Sequence, residues 1–501
     1  MLPRDLPHFP DLPAFVAYLE QAGRLARIDA PVRVAHEVTE IHRRVLAENG
    51  PALLFTRPVL ADGSLSPMPL LANLFGTVER VAWGLGVEPS GLRRIGEALA
   101  ELRAPAPPRG FRDLLRKLPM AKAVLSMRAK AVDETPHRFA TGAAIDLAAL
   151  PAQICWPREP APLITWPVVV TRAPGADDLQ SYNLGVYRLQ VLGRDRLIAR
   201  WLAHRGGARH HRMWRESGRD MPIAIVIGAA PATILSAVLP LPETVSEIGV
   251  SGLFGGRPEL QACRTVPLRT PPGEIVIEGV VSPRETAPEG PYGDHTGYYN
   301  SVEPFPVVRV TGIRTRPAPL YMSTFTGRAP DEPSRIGEAL NAVFVPVLKG
   351  QMPEVRDVWL PPEACSYRIA VVSIAKAYPG QARRVMMGLW SLLPQFTYTK
   401  LVIVVDEDID IRSWDDVMWA VATRSDPSRD LLVVGETPID YLDFASPRPG
   451  LGGKLGIDAT NKIGPETDRE WGAPLAMSEE VVRRVDALWP DLGLAAREPC
   501  R

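Results

Sequence analysis

Proline constrains this chain more than any other residue type, because 52 of its 501 residues are proline and a further 40 are glycine. Proline ends helices and cannot donate a hydrogen bond inside a sheet, so the chain must fold into short elements joined by many turns. Hydrophobic residues make up 46% of the sequence, which indicates buried cores and excludes a disordered scaffold. At about 150 residues per domain, the length predicts roughly three domains.

An uncharged segment from Met221 to Leu241 is long enough to cross a bilayer. Prolines lie within it or directly after it, at Pro222, Pro231, Pro240 and Pro242. A short strand over Ile223–Ile227, a turn and a buried helix are therefore favoured over a membrane span.

The charge balance and the cysteine content indicate which binding partners and which cellular compartment to expect. The chain carries 57 basic and 57 acidic residues, so its net charge is zero and no nucleic-acid partner is expected. Asp5, Asp11 and several prolines interrupt the N-terminus, so no signal peptide is expected. Widely spaced cysteines argue against a disulfide framework or a zinc–thiolate site and fit a reducing, cytoplasmic location; they are Cys155, Cys263, Cys365 and Cys500.

Residues 1–110 predict helices mixed with short strands. Asp11 precedes a helical pattern, Pro13 suits its first turn and Gly23 follows its end. A second helix is predicted from apolar residues at steps of three and four, namely Val34, Val38, Ile41 and Val45. Its polar residues lack the His-Glu-x-x-His order of a zinc helix and are interpreted as a solvated face; they are His36, Glu37, Glu40 and His42. The proline-rich residues 104–110 predict a linker.

Two strand patterns follow. Runs between residues 160 and 313, separated by turns, favour an antiparallel sheet or barrel; they are Leu163–Arg172, Leu197–Leu202, Ile223–Ile227, Glu274–Val281 and Val307–Ile313. After residue 330, apolar runs alternate with helical stretches and predict an α/β layer with a parallel sheet; they are Arg368–Ile374, Lys400–Val405 and Asp430–Val434. The glycines of 450–454 look like a phosphate loop, but the Walker spacing is missing.

The segment from Glu285 to Tyr298 concentrates acidic side chains between prolines and glycines. Glu285, Glu289, Asp294 and His295 suit proton transfer, because burial and a neighbouring charge can keep one carboxyl group protonated. A surface turn with solvated acids is the alternative.

A second segment concentrates arginine on predicted strands. Arg188, Arg200 and Arg205 lie within eighteen positions and suit bidentate binding of a phosphate and a carboxylate. Ordinary surface arginines are the alternative.

Six motifs carry a more specific signal. They are Asn-Leu-Gly-Val-Tyr-Arg (183–188), Arg-Trp-Leu-Ala-His-Arg-Gly-Gly (200–207), Glu-Thr-Ala-Pro-Glu-Gly-Pro-Tyr-Gly-Asp-His-Thr-Gly (285–297), Tyr-Met-Ser-Thr-Phe-Thr-Gly-Arg-Ala-Pro-Asp-Glu-Pro (321–333), Tyr-Leu-Asp-Phe-Ala-Ser-Pro (441–447) and Leu-Gly-Gly-Lys-Leu-Gly-Ile-Asp-Ala-Thr-Asn-Lys (451–462). Together they resemble the UbiD family of reversible decarboxylases over nearly the whole chain. Within that family they are most similar to the branch that decarboxylates 4-hydroxy-3-polyprenylbenzoate in bacterial ubiquinone biosynthesis.

The resemblance implies a three-part fold of α/β and β class. An N-terminal α/β region would cover 1–125, a central split β-barrel that binds the flavin 126–330, and a C-terminal α/β domain that mediates oligomerisation 331–501. A helix near Pro333–Lys349 would join the last two, with residues spaced for packing at Ile336, Leu340, Val343 and Val347. A homo-oligomer, dimer or hexamer, is expected.

The resemblance also implies prenylated FMN, supplied by a flavin prenyltransferase and bound through a divalent metal, usually Mn²⁺, often with K⁺. The residues implied in cofactor binding are Val186, Tyr187, Arg188, Arg200, Trp201, Leu202, Arg205 and Gly206. Asn183 and Glu247 match the family's metal ligands, and His204 is the candidate for a third, histidine ligand. Oxygen ligands that bridge a phosphate suit a hard cation.

The catalytic residues implied are Arg188, Glu289 and Asp294. The cofactor would act as the electron sink while carbon dioxide leaves, and Asp294 would protonate the carbon. We expect burial and the nearby Glu289 to raise the pKa of Asp294 above its ordinary ~3.9, while Arg188 and Glu289 form a charge-assisted pair.

The resemblance therefore implies a carboxy-lyase that decarboxylates an aromatic acid, first of all 4-hydroxy-3-polyprenylbenzoate. A small heteroaromatic or α,β-unsaturated acid is the alternative substrate. A flavin-binding oxidoreductase or an inactive relative on the same fold is the alternative of another class. A long prenyl tail would bring the cytoplasmic enzyme into peripheral contact with the inner face of the cell membrane.

Overall fold

The computed structural model describes residues 2, 4–103, 122–133, 137–175, 178–202, 205–239, 241, 245–365, 367–392, 394–473 and 475–492. The predicted linker at 104–110 lies outside these residues. Among the described helices, none combines the length and hydropathy that a bilayer span requires. The uncharged segment contains the strand Met221–Ile227 and the short helix Pro231–Ser236 instead, as predicted.

An N-terminal layer forms around a four-stranded mixed sheet. In spatial order its strands are β1 (Leu25–Ile28), β3 (Ala52–Phe55), β5 (Leu70–Ala72) and β18 (Tyr321–Met322), and a separate parallel pair is made by β2 (Val32–Arg33) and β4 (Pro58–Val59). Its helices are α1 (Leu12–Gln21), α2 (Glu37–Ala47), α3 (Val78–Gly84) and α4 (Leu92–Arg103). The predicted start of α1 is confirmed, since the Asp11 carboxylate accepts a hydrogen bond from the Ala14 N–H at 3.0 Å.

The structure of α2 differs in part from the predicted solvated polar face. Glu40 lies on a solvated face and pairs with Arg43 and Arg44, as expected. His42, however, is fully buried, edge-on to the Phe325 ring at 4.8 Å and 3.6 Å from Glu332. The solvated-face interpretation is therefore wrong for His42, because that side of α2 packs under residues 325–332.

The central part of the chain is a curled sheet in which every pairing is antiparallel, as predicted. In spatial order its strands are β10 (Tyr182–Val186), β9 (Val168–Arg172), β13 (Met221–Ile227), β16 (Ile275–Glu289), β17 (Glu303–Thr315), β12 (Arg196–Ala199), β11 (Leu189–Val191) and β8 (Leu163–Ile164), with β7 (Arg138–Ala140) also on β17. Its hydrophobic core is continuous with that of the N-terminal layer.

Smaller elements complete this part of the chain. They are a helical segment α5 (122–126), a three-stranded sheet of β6 (Lys130–Ala131), β14 (Glu259–Ala262) and β15 (Arg269–Thr270), and the helices α6 (Gly206–Glu216), α7 (Pro231–Ser236) and α8 (Glu247–Gly255).

Two expectations for this sheet differ from the structure. The run Leu163–Arg172 is two strands, β8 and β9, with the bend at residues 165–167. Glu285 and Glu289 belong to strand β16 and not to the surface turn that the alternative interpretation gave. Pro288 can lie in this strand because its partner across the pair is Pro304, so both prolines occupy positions where no ladder N–H is needed.

The C-terminal part is a five-stranded sheet ordered β19 (Val355–Trp359), β20 (Ile369–Ile374), β21 (Leu401–Asp406), β23 (Leu451–Ala459) and β22 (Leu431–Pro438), with helices α9 (Glu332–Lys349), α10 (Gln381–Leu392), α11 (Trp414–Arg424) and α12 (Glu479–Leu488). The inner pairs are parallel as predicted, but both edge strands are antiparallel. Residues 451–454, which look like a phosphate loop, begin β23.

The predicted connecting helix is α9, which buries Ile336, Leu340 and Val343. The C-terminal sheet has a hydrophobic cluster on each face. The chain returns to the N-terminal sheet through β18 just before α9 begins, and the boundaries at residues 125 and 330 stay predictions.

A buried ion pair joins the two long strands. Arg314 on β17 and Glu278 on β16 are fully buried, with 3.1 Å between Nε and Oε1. The Glu278 carboxylate also accepts hydrogen bonds from the Arg264 and Thr265 N–H groups at 2.9 and 2.6 Å.

We expect Arg314→Met to lower the free energy of unfolding by about 3–5 kcal/mol, because Glu278 would stay charged and buried without its counter-ion. Arg314→Met combined with Glu278→Gln should recover part of that loss, since glutamine keeps an acceptor for the two N–H groups. Urea unfolding followed by circular dichroism measures both, and equal losses in the single and double variants would contradict the ion-pair explanation.

Candidate active site

The turn between the two long strands is fixed by side chains from other segments. Glu289 ends β16, and residues 290–302 form a turn that carries Asp294 before β17 begins. Gly290 has φ of +93°, a conformation that favours glycine, and its N–H donates to Gln190 Oε1 at 3.0 Å. The Gly293 N–H donates to Glu159 Oε1 at 3.2 Å.

Arg188 brings the two predicted catalytic carboxylates together. Its Nε donates to Glu289 Oε1 and its Nη1 to Asp294 Oδ2, both at 3.0 Å. Its Nη2 donates to Asn300 Oδ1 at 2.8 Å. The guanidinium thus holds the end of a strand and the following turn in one geometry, as a planar fork of donors can.

A second arginine and an amide complete this network. Arg200 Nη1 donates to Glu289 Oε2 at 2.8 Å. Asn300 Nδ2 lies 3.4 Å from the same oxygen, and Asn300 Oδ1 also accepts from the Tyr292 N–H at 2.8 Å. Glu289 is therefore a buried carboxylate that is paired with two arginines, and it holds both of them in position.

Exposure separates the roles of the two carboxylates. The Glu289 side chain is fully buried, whereas 12% of the Asp294 side chain and 13% of the Arg188 side chain remain exposed. Asp294 is therefore the more accessible of the two carboxylates, whereas Glu289 is covered and contacts Arg188 from inside.

His295, which the sequence analysis grouped with the acids for proton transfer, adds a positive charge next to Asp294. Its Nδ1 lies 2.7 Å from Asp294 Oδ1, and its Nε2 lies 3.6 Å from Oδ2 of Asp440, at ion-pair distance. Burial alone would lower the pKa of His295, but the hydrogen bond to Asp294 and the charge of Asp440 raise it to about 10.

The expectation of a raised pKa at Asp294 is wrong. Burial does favour the neutral acid, but the hydrogen bond from His295 and the charge of Arg188 hold the pKa of Asp294 well below its ordinary value. Without substrate, Asp294 is an ionised carboxylate beside a protonated imidazole.

The predicted cofactor-binding residues come together at one end of the curled sheet. Val186 ends β10, Tyr187 and Arg188 follow it, and Arg200, Trp201 and Leu202 follow β12. The Tyr187 and Trp201 rings meet edge-on at 6.5 Å. Gly206 begins α6, with Arg205 at the N-cap, and the Gly207 N–H donates to the Tyr187 hydroxyl at 3.3 Å.

The start of α6 fits a bound phosphate. The helix has eleven residues, and its N-cap residue Arg205 makes no side-chain cap hydrogen bond. Apart from the Gly207 N–H, which donates to the Tyr187 hydroxyl, its first N–H groups can serve an anionic ligand. A Cβ on Gly206 would lie 1.8 Å from Asn183 Oδ1, so only glycine allows this close approach. Within the described residues, the buried Arg200 Nη2 and Trp201 Nε1 atoms also have no hydrogen-bond partner. These donors and this open helix end suit an anionic, acceptor-rich group such as a flavin nucleotide.

Two of the three predicted metal ligands lie together. Glu247 begins α8, and its Oε2 accepts a hydrogen bond at 3.2 Å from the N–H of Leu184, the neighbour of Asn183. Burial raises the pKa of Glu247. His204 lies outside the described residues, and the described part of the chain contains no cluster of three His, Cys, Asp or Glu side chains that could hold a metal. One carboxylate, one amide oxygen and a cofactor phosphate would suit a hard cation.

Sequence reasoning missed Asn300 and Asp440. Asn300 lies beyond the acid motif in a short polar run, and Asp440 directly precedes the motif at 441–447 without being part of it. Only the fold brings Asp440 to His295, so no spacing rule could have found it.

Family models match most of the chain. Three domains of 3-octaprenyl-4-hydroxybenzoate carboxy-lyase match it: the N-terminal domain at residues 16–99, the Rift-related domain at 129–329 and the C-terminal domain at 334–459.

Solved structures agree with these models. HmfF, a UbiD-class enzyme from Pelotomaculum thermopropionicum in complex with FMN, is 29% identical, with 93% of this chain and 97% of that chain covered and a TM-score of 0.76. An evolved dimeric form of HmfF in complex with prFMN is 28% identical, with 92% and 96% covered and a TM-score of 0.74. Vanillic acid decarboxylase from Sedimentibacter hydroxybenzoicus in its closed form is 25% identical, with 97% and 100% covered and a TM-score of 0.80. The chain belongs to the UbiD family of carboxy-lyases.

Proposed function

We propose that this chain catalyses the non-oxidative decarboxylation of an aromatic carboxylic acid with prenylated FMN as cofactor. The observation that carries the proposal is the Arg188 fork, which holds the fully buried Glu289 and the Asp294 side chain, 12% of which stays exposed. Arg188 directly follows Tyr187, whose hydroxyl accepts from the Gly207 N–H at the start of α6. The FMN and prFMN complexes of HmfF support the choice of cofactor.

Tyr187, Trp201, Arg200 and Gly206 would hold the flavin nucleotide, with its phosphate at the first turn of α6. Val186, Arg188, Leu202 and Arg205 are the other proposed contacts. Asn183 and Glu247 would bind a divalent cation, Mn²⁺ in our proposal, that neutralises the phosphate, and His204 and K⁺ are further candidates. The bound cofactor would supply an electron sink for the carbon that loses carbon dioxide.

The protein's own residues would place the substrate and move one proton. Arg188 contacts Asp294 directly, and it would orient the substrate's carboxylate while it keeps its bond to Glu289. The Asp294 carboxyl group would give the proton that replaces carbon dioxide on the substrate carbon. Glu289 and Arg200 would keep Arg188 in place.

The substrate we propose first is 4-hydroxy-3-polyprenylbenzoate, which the family description supports. The second candidate is a small aromatic, heteroaromatic or α,β-unsaturated acid, and the likeness to vanillic acid decarboxylase supports the aromatic acid among these. A prenylated substrate would require peripheral contact of the enzyme with the membrane. We also propose that a flavin prenyltransferase supplies the cofactor. The proposed assembly is a homo-oligomer. A cytoplasmic location also remains a proposal.

The enzyme reconstituted with prenylated FMN and Mn²⁺ should release carbon dioxide from prenylated 4-hydroxybenzoates in a panel that includes furan-, pyrrole- and indole-carboxylates. If only the small acids were turned over, the substrate would be reassigned to a small acid and the decarboxylation proposal would stand. Nicotinamide oxidation without carbon dioxide release from any acid would refute the decarboxylase proposal.

Asp294→Asn should keep cofactor binding and lose at least ~10²-fold in turnover, because the amide cannot deliver a proton. Glu289→Gln should also bind cofactor and lose activity, since it weakens the hold on Arg188. Glu285→Gln is the matched control, because Glu285 lies on the same strand but pairs with Arg196 at the surface. If Asp294→Asn stayed active while Glu289→Gln was inactive, the proton-donor role would belong to Glu289.

Asn183→Ala and Glu247→Ala should each lose metal and flavin together, because the cation would neutralise the cofactor phosphate. Elemental analysis and the flavin absorbance of the purified protein measure both. Glu259→Ala is a suitable control, since Glu259 pairs with Lys130 at the surface. A full complement of manganese and flavin in either site variant would disprove the metal assignment.

A further inference from the structure

His295 lies between two carboxylates from distant parts of the chain. Asp294 precedes it in the turn, with 2.7 Å between His295 Nδ1 and Asp294 Oδ1. Asp440 follows strand β22, with 3.6 Å between His295 Nε2 and Asp440 Oδ2. The imidazole thus connects the more accessible acid of the central sheet to the C-terminal part of the chain.

Asp440 is itself held firmly. Its Oδ2 accepts from the Tyr367 hydroxyl at 2.7 Å and lies 3.3 Å from Arg368, and its Oδ1 accepts from the Leu442 N–H at 2.9 Å. Burial would raise the pKa of Asp440, but the His295 side chain first of all, and then the Leu442 N–H and the Tyr367 hydroxyl, hold it low.

Decarboxylation requires a supply of protons. A carboxylate that leaves as carbon dioxide is replaced by hydrogen, so each turnover consumes one proton. Asp294 is ionised before the reaction, so it must first receive that proton, either from solvent or from a neighbouring side chain. Of the groups bonded to Asp294, Arg188 keeps its proton throughout the ordinary pH range, whereas the protonated imidazole of His295 can release one.

We propose that His295 stores the proton that Asp294 passes to the substrate carbon, and that Asp440 keeps His295 charged between turnovers. This inference rests on the proposed function. His295 is a positioning residue in this scheme, because it acts on the substrate only through Asp294.

The transfer balances in two steps. The Nδ1–H bond of His295 breaks as an O–H bond forms at Asp294 Oδ1, and the Asp294 O–H bond breaks as the C–H bond of the product forms. The first step alone runs uphill, so the two steps proceed together only if the carbon left after loss of carbon dioxide is more basic than the imidazole. The His295 side chain keeps 19% exposure, and in this scheme the proton is replaced from solvent at Nδ1, the nitrogen that gave it up.

The charges around His295 favour this role. Asp294 from the turn, Asp440 from the segment after β22 and Asp331 at the N-cap of α9 are negative, while Arg368 before β20 is positive and Tyr367 is neutral because burial raises its pKa. Removal of the Asp440 charge should therefore lower the pKa of His295.

Asp443 offers a matched control for Asp440. It lies three residues along the same segment and pairs with the same Arg368 at 3.3 Å and with Lys400 at 2.8 Å. The ion pairs that His295 makes in the described structure are with Asp294 and Asp440, not with Asp443.

The first measurement needs no activity. Nitrogen NMR of histidine-labelled protein should show His295 charged up to a pH of about 10, and Asp440→Asn should move its titration to lower pH while Asp443→Asn leaves it in place. A His295 titration near the ordinary value of ~6.5 in the unmutated protein would overturn the proposal.

The second measurement uses the cofactor-loaded enzyme and the substrate found in the panel. Turnover of the unmutated enzyme should fall as pH rises through the His295 pKa, and Asp440→Asn should shift this fall to lower pH with little change in KM. His295→Gln should lose ~10²-fold in kcat, and added imidazole should restore part of the rate in His295→Gly. An alkaline limb at the same pH in Asp440→Asn and Asp443→Asn, or full activity of His295→Gln, would overturn the relay.

The two proposals fail in different ways. If no acid in the panel released carbon dioxide, the proposed function would be wrong whatever the NMR result. If carbon dioxide were released by the unmutated enzyme and equally by His295→Gln, decarboxylation would stand and the relay would fall.

Discussion

Arg188 makes the site possible because it joins two carboxylates that would otherwise repel each other. Glu289 is fully buried and Asp294 nearly so, and like charges at this depth cannot both stay ionised without a counter-ion. The guanidinium contacts both and also Asn300, so one side chain fixes the end of β16 and the turn that follows. Arg200 also donates a hydrogen bond to Glu289. Glu289 therefore holds Arg188 in place, while the exposed part of the Arg188 side chain can still contact a substrate.

The large elements and the site's central trio could be predicted because each has a local signal. Asp11 marks the start of α1, alternation of apolar runs marks the C-terminal sheet, and the motifs at 183–188 and 285–297 contain Arg188, Glu289 and Asp294. The extent of β16 could not be predicted, because prolines at 288 and 304 argue against a strand until their mutual register is known. The burial of His42 could not be predicted either, because the polar residues of a helix do not reveal which part of the chain packs over them.

The charge state of Asp294 shows why a motif alone does not determine chemistry. Sequence reasoning counted Glu289 as the neighbour that would keep Asp294 protonated. In the folded chain Arg188 neutralises Glu289, and His295 adds a positive charge directly to Asp294. The balance of charge then favours an ionised Asp294. Asp440, which supports His295, lies 146 positions after Asp294 in the sequence, and nothing nearby in the sequence indicates the pair.

The return of the chain to the N-terminal sheet has a consequence for the order of synthesis. Strand β18, at residues 321–322, pairs with β5 at residues 70–72, so the first sheet cannot be completed until nearly two thirds of the polypeptide has been made. Until then β5 has an open edge, and open edges are sites where strands of other chains can add. Contacts this distant in sequence also form slowly. The N-terminal layer is therefore not a unit that matures first on the ribosome, since its last strand arrives only after the central sheet has been synthesised.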